Sequence, residues 1–312
     1  MNQMYKLFNL SIFFLFLVTA AIIFTASFAS ASEKNRPAQE LLLDTYNRNI
    51  AELKTNSFGI PLIVESFEKE DRVHVDVYGV FDYSFNSVVS ALVVPSNWCD
   101  IVSLHPNIKA CTYRKLPGDW LLTFYPGKKT YQPPDEDSQV IYHFQTSIQQ
   151  QGYLDIILRA DAGPYGTTNH RMRFEAIPLD TGRTFVHVSY AYSDSVALRL
   201  AAKIYFATIA RDKVGFTVTS KDGSGNVSYI RGPRGALERS SVRYYFAIQS
   251  LMDTMRYPTE SRFSMRISRW HDLTSRYRKQ LYDLDKKDYL TFKTAEHKNQ
   301  VALQRIIGTE LP

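Results

Sequence analysis

The chain has 312 residues and only two cysteines, Cys99 and Cys111. A zinc site built on them would need further ligands at short spacing, and only His105 is near. Glycine is sparse, and no glycine-rich phosphate loop precedes a helix. The stretch "KDGSGN" has the glycines but lies between two strand patterns, which makes it a turn. HExxH, CxxC and G-x-S-x-G are all missing, so a metal enzyme or hydrolase would have to assemble its site from dispersed residues. No cofactor or metal is expected. Strong charge of one sign is missing too: the formal charge of +6 is spread along the chain. That argues for weak attraction to anionic surfaces and against nucleic acid as a partner. There is no internal repeat and no low-complexity tract.

One long apolar run is present, Leu7 to Phe28, preceded by Lys6 and followed by Ala29-Ser30-Ala31. This is the layout of a secretory signal peptide cleaved after Ala31. A run of ~20 apolar residues also suffices for an uncleaved membrane anchor. Either reading places the rest of the chain outside the cytoplasm, in a periplasmic or secreted setting. There Cys99 and Cys111 are expected to pair as a disulfide if geometry permits. Two buried free thiols, or a reactive pair, are the other readings.

Pro37 to Lys54 carries Leu42, Tyr46, Ile50 and Leu53 at helical spacing. The period then changes to two. "IPLIVESF" and "RVHVDVYGVF" flank a charged turn, with Val73, Val75, Val77 and Phe81 on one face of the second strand. Ser84 caps a short helix to about Val94, and "SNWCDIVSL" forms a second. From Asn107 to Tyr192, six strand patterns alternate with turn-rich breaks, the pattern of an antiparallel meander. Ser193 to Asp212 reads as the long helix that lies on the sheet, with Leu198, Ala201, Ala202, Tyr205 and Ile209 as its stripe. A hairpin and helices come after it, the last of them polar from Asp285.

The stretch "VYGVFDYSFNSVVSALVVPSNWCDIV" resembles the opening of START-like, helix-grip proteins, the group of polyketide cyclases and lipid-transfer domains. The likeness lies in Phe85, Val88, Ala91, Leu92, Pro95 and Trp98 and in the order of elements through about Arg211. "RDKVGFTV" and "RGPRGALERSSVRYY" are similar to stretches of secreted bacterial members of unknown role. The resemblance implies an α+β helix-grip fold, a curved antiparallel sheet around a long C-terminal helix. Four parts are expected: a signal peptide at 1–31, an N-terminal helical segment at 32–60, a START-like domain at 61–220, and a hairpin with helical extension at 221–312. The extra C-terminal residues depart from the usual family and would cover or plug any cavity.

The function expected is binding of a hydrophobic or amphipathic small molecule, such as a lipid, between sheet and helix. Val75, Val77, Phe124, Leu158, Phe174 and Tyr205 are the expected lining, and Arg211 and Arg234 the head-group contacts. The stretch 211–243 holds seven cations against three carboxylates, suited either to binding an anion or to salt bridges that dock the extension. The alternatives are a cyclase- or hydrolase-type enzyme using Asp161 or His187 in the cavity, and an interaction protein whose groove is filled. His143, His170 and His187 fall on different strands, and His170 and His187 are the two expected to face inward. "RFSMRISRWHDLTSRYRKQ", basic with an apolar stripe, suits either the domain surface or peripheral contact with a membrane.

Overall fold

The computed structural model describes residues 37–135, 138–149, 152–208 and 210–309. The expected signal peptide and its cleavage site lie outside the described residues. Helix α1 (Ala38–Lys54) forms where the spacing placed it. The chain divides into two units between Arg48 and Asn49, and the second unit holds the sheet and every later helix.

Period-two alternation becomes one antiparallel sheet. It comprises β1 (Leu62–Lys69), β2 (Arg72–Phe81), β3 (Ile108–Leu116), β4 (Asp119–Pro126), β5 (Val140–Gln149), β6 (Tyr153–Ala162), β7 (Thr168–Pro178) and β8 (Thr184–Ser193). The order across the sheet is β1-β2-β8-β7-β6-β5-β4-β3. Register fixes the faces. Val73, Val75 and Val77 on β2 lie opposite Tyr192, Tyr190 and Val188 on β8. Met172 and Phe174 continue that row on β7, and Leu158 and Ile156 on β6. This inner face carries the core.

Two short helices close one end of that core. Ser84 accepts a hydrogen bond from the Ser87 amide at 3.3 Å and caps α2 (Phe85–Leu92). Pro95 opens α3 (Pro95–Val102), whose Trp98 donates to the Leu92 carbonyl at 2.7 Å. Cys99 on α3 is disulfide-bonded to Cys111 on β3, with both residues buried and their Cα atoms 4.9 Å apart.

The helix gripped by the sheet is not the one expected. Helix α4 (Val196–Ala207) comes directly after β8, but Val196, Leu200 and Ile204 are 75%, 62% and 60% exposed. It packs against a later helix rather than into the sheet. After the hairpin β9 (Val218–Lys221) and β10 (Val227–Tyr229), helix α5 (Gly232–Thr254) lies on β1, β2 and β8 and touches α3. Its segment from Val242 to Met252 is buried almost all round, as a core helix must be. Over 23 residues α5 buries Leu237, Val242, Tyr245, Phe246, Ile248 and Leu251, more apolar area than the 12-residue α4 can offer. The boundary expected near 220 therefore separates the sheet from its own central helix.

Helices α6 (Thr259–Ser275), α7 (Arg278–Leu281) and α8 (Lys286–Thr309) complete the unit. The stripe on α6 packs on the body: Ile267, Trp270 and Leu273 are buried. The polar α8 covers the edge strand β3. Gln300 Oε1 accepts from the Cys111 amide at 2.8 Å, and Gln304 accepts from the Tyr113 amide at 2.9 Å and donates to its carbonyl at 3.0 Å. Side chains thus satisfy backbone groups that another strand would otherwise seek. Beneath α8, buried Lys109 and Lys293 share Glu296 at 2.6 and 2.8 Å. No described helix is long and apolar enough to cross a membrane.

Candidate functional site

Inner-face strand residues are apolar toward the α2 end and aromatic with hydroxyls toward the other. On β8, Val186 and Val188 give way to Tyr190 and Tyr192; on β7, Phe174 and Met172 give way to His170; on β5, Phe144 gives way to Tyr142. Ala160 lies between them on β6, opposite His170, and has no bulk to hold the rings apart. Tyr244 of α5 closes the group from above, its ring 6.4 Å from Tyr190 and 5.3 Å from His105.

Hydrogen bonds run through this cluster in one direction. The Thr167 hydroxyl donates to the Pro164 carbonyl at 2.7 Å, so its oxygen accepts from His170 Nε2 at 2.8 Å. Nδ1 of His170 is then left as the acceptor for the Tyr190 hydroxyl at 3.0 Å. The Tyr142 hydroxyl lies in the same group and is electrostatically coupled to that of Tyr190. Burial lowers the His170 pKa to about 4, so the imidazole is neutral and this tautomer holds at neutral pH. Burial raises Tyr142 and Tyr190, keeping both hydroxyls protonated. Tyr142 and His170 are almost wholly buried, whereas Tyr190 and Tyr192 are surrounded by protein yet keep accessible surface. Their uncovered parts mark where the group meets solvent. His170 also stacks on Tyr192, with centroids 5.6 Å apart.

The residues expected from sequence to line a pocket are distributed otherwise. Val75, Val77, Leu158 and Phe174 are fully buried and Phe124 nearly so, all within the packed core. Tyr205 sits half-exposed on α4. Arg211 lies beyond α4, exposed, 3.9 Å from Asp212. Arg234 donates to Ser66 Oγ at 2.6 Å, and Ser66 donates to Glu238, which also accepts from the Thr217 amide and hydroxyl at 3.0 and 2.6 Å. These residues do not converge on one ligand. Arg239 and Arg243 instead dock the extension through the Val214 and Leu281 carbonyls.

The three histidines do not converge either. His143 and His187 lie on the outer face, contrary to the expectation for His187. Asp161 is exposed at the end of β6, in phase with Asp155 and Arg159 on that outer face. Both enzymatic candidates are therefore separated from the interior by the sheet itself. His187 bridges Glu175 through Nδ1 and Asp76 through Nε2, each at 2.8 Å. His74 also reaches Asp76, at 2.8 Å, and Arg173 forks onto Asp155 at 2.7 and 3.0 Å. Burial alone would lower the His187 pKa, but the two carboxylates outweigh it and raise the value to about 9. An imidazolium with both nitrogens bonded has no lone pair to act as a base.

No family model matches the chain, and no curated protein sequence matches it. Solved structures of START-like and other helix-grip proteins are similar in arrangement. A conserved protein of unknown function from Enterococcus faecalis is 8% identical over 76% of this chain and 91% of its own, with a TM-score of 0.33. A STAR-related lipid transfer protein from Xanthomonas axonopodis is 12% identical over 48% of this chain and 89% of its own, at 0.34. An aromatase/cyclase from Streptomyces is 10% identical over 40% and 70%, at 0.28. The fold itself rests on the strand order of the sheet and on the helix α5 that it grips.

Proposed function

We propose that this protein binds a hydrophobic or amphipathic small molecule in a recess at Tyr190 and Tyr192, between the sheet and α5. The observation that carries the reading is the directed chain Tyr190–His170–Thr167 on an otherwise apolar face, with Tyr190 and Tyr192 still accessible. Burying the ligand's apolar surface would supply the affinity, at about 25 cal/mol per Å². The hydroxyls would set its orientation. Export from the cytoplasm belongs to the same reading, supported by the leader-like N-terminal run and by the Cys99–Cys111 disulfide. Native mass spectrometry with lipid extraction, on protein taken from its own compartment, tests it. A co-purifying apolar molecule, displaced when Tyr190→Trp fills the recess, is the expected result. Empty protein in repeated preparations, with no thermal shift across a lipid panel, overturns the reading in favour of a filled groove.

A further inference from the structure

Asp283, in the link between α7 and α8, is almost buried and has three cations around it. Arg243 Nη2 lies 2.6 Å away and Lys213 Nζ 3.6 Å, and Lys129 Nζ donates to the same carboxylate. Burial would raise this carboxyl, but Arg243 and Lys129 hold it below the ordinary carboxylate range. One charge therefore answers three. Arg239, one turn before Arg243 on α5, adds a fourth cation; its guanidinium spends one hydrogen bond on the Val214 carbonyl at 3.2 Å. Glu238, which precedes Arg239 on α5, is committed to Ser66 and Thr217. Nε of Arg243, fully enclosed, has no hydrogen-bond partner among the described residues, nor has Nε2 of His105. A buried excess of positive charge is costly unless something answers it.

The cluster is not sealed. Lys129 and Lys213 are each about two-fifths exposed, and Asp283 also borders a small crevice of about 20 Å³ with Pro106, Trp270, Leu281 and Tyr289. It also adjoins the aromatic group on α5. Arg243 and Tyr244 are neighbours on α5, one turned to Asp283 and the other to Tyr190, and His105 stands beside Tyr244. We propose that Lys129, Lys213, Arg239 and Arg243 form an oxyanion site, taking a phosphate or carboxylate either free or as the head of an amphipathic ligand. The two lysines would supply flexible donors from the open side, and the arginines a fixed field behind them. Only the tail of such a ligand depends on the proposal that the recess binds an apolar molecule.

Calorimetric titration at constant ionic strength, with inorganic phosphate, dodecyl phosphate and dodecanol, tests the proposal on the full chain. Saturable phosphate binding is expected, weakened at least about tenfold in a Lys129→Ala, Lys213→Ala double variant. Both side chains are part-exposed, and an unchanged circular dichroism spectrum and urea midpoint confirm that the variant folds. Dodecyl phosphate binding more tightly than phosphate would place the anion on a lipid-like ligand. Phosphate binding alone, without gain from the tail, would point to a free anion and count against the recess, not against this site. Phosphate and dodecyl phosphate failing to bind, or binding equally well to the double variant, overturns the oxyanion site, even where dodecanol binds.

Discussion

His187 is held between two carboxylates on a face of the sheet that water reaches, and this makes its proton a stabilising element. Its pKa rises from 6.5 to about 9, so folding favours the protonated form. That stability is complete below about pH 6.5 and lost as pH climbs through 9. Asp76 has the opposite sign. Burial would raise its pKa, but bonds to His187 and His74 lower it to about 2, so its contribution is present above pH 3.8 and lost as pH falls through 2. Urea midpoints of wild type and His187→Gln, measured between pH 6 and 10, should converge toward the alkaline end. A gap that stays constant with pH would refute the assignment. Alternation did not mark His187 as outward, because apolar Phe185 and Ala191 share its side of β8. Its two acids come from β2 and β7, and that meeting depends on strand order, which alternation within one strand does not contain. The cysteines were legible as a pair from spacing and leader. Reduction, or Cys99→Ser with Cys111→Ser, should cost about 2–4 kcal/mol in denaturant unfolding.

Among the elements, α5 meets the sheet so closely that one position tolerates only glycine. A Cβ at Gly79 on β2 would fall on the hydroxyl and ring of Tyr245, which is itself buried. Gly79→Ala should therefore destabilise by about 1–3 kcal/mol, read as a fall in urea midpoint, through overpacking rather than backbone strain. At the opposite edge, α8 is bound by polar groups. Glu296→Gln leaves Lys109 and Lys293 buried without their counter-charge, and a loss of about 3–5 kcal/mol is expected. Gln300→Leu with Gln304→Leu should free the β3 edge and favour dimers or larger species in light scattering. In the sequence α8 reads only as a polar helix. Nothing in its own spacing shows that its glutamines face an unpaired strand.

At the scale of the molecule, the aromatic group meets α5 at Tyr244 and the cation cluster meets it at Arg243, so α5 positions both. The tyrosines were visible as the in-phase continuation of valines on β8 and of Phe144 on β5. Selecting them as the polar floor required knowing that α5 leaves part of Tyr190 uncovered. Lys129, Lys213 and Asp283 come from three connections far apart in sequence, and no local pattern links them.

Periodicity, caps and turns are local, and so the sequence alone determined the strands, the two short helices under Ser84 and Pro95, and which side chains share a strand face. Those features depend on neighbours within a few residues. Which helix fills the sheet was decided only by tertiary competition for apolar area. Helix α4 had the favourable position in the chain, directly after β8, but α5 had the larger buried surface. Arg239 and Arg243 interrupt the apolar surface of α5 in the sequence, and only partners from other elements, the Val214 carbonyl and Asp283, let them sit buried there.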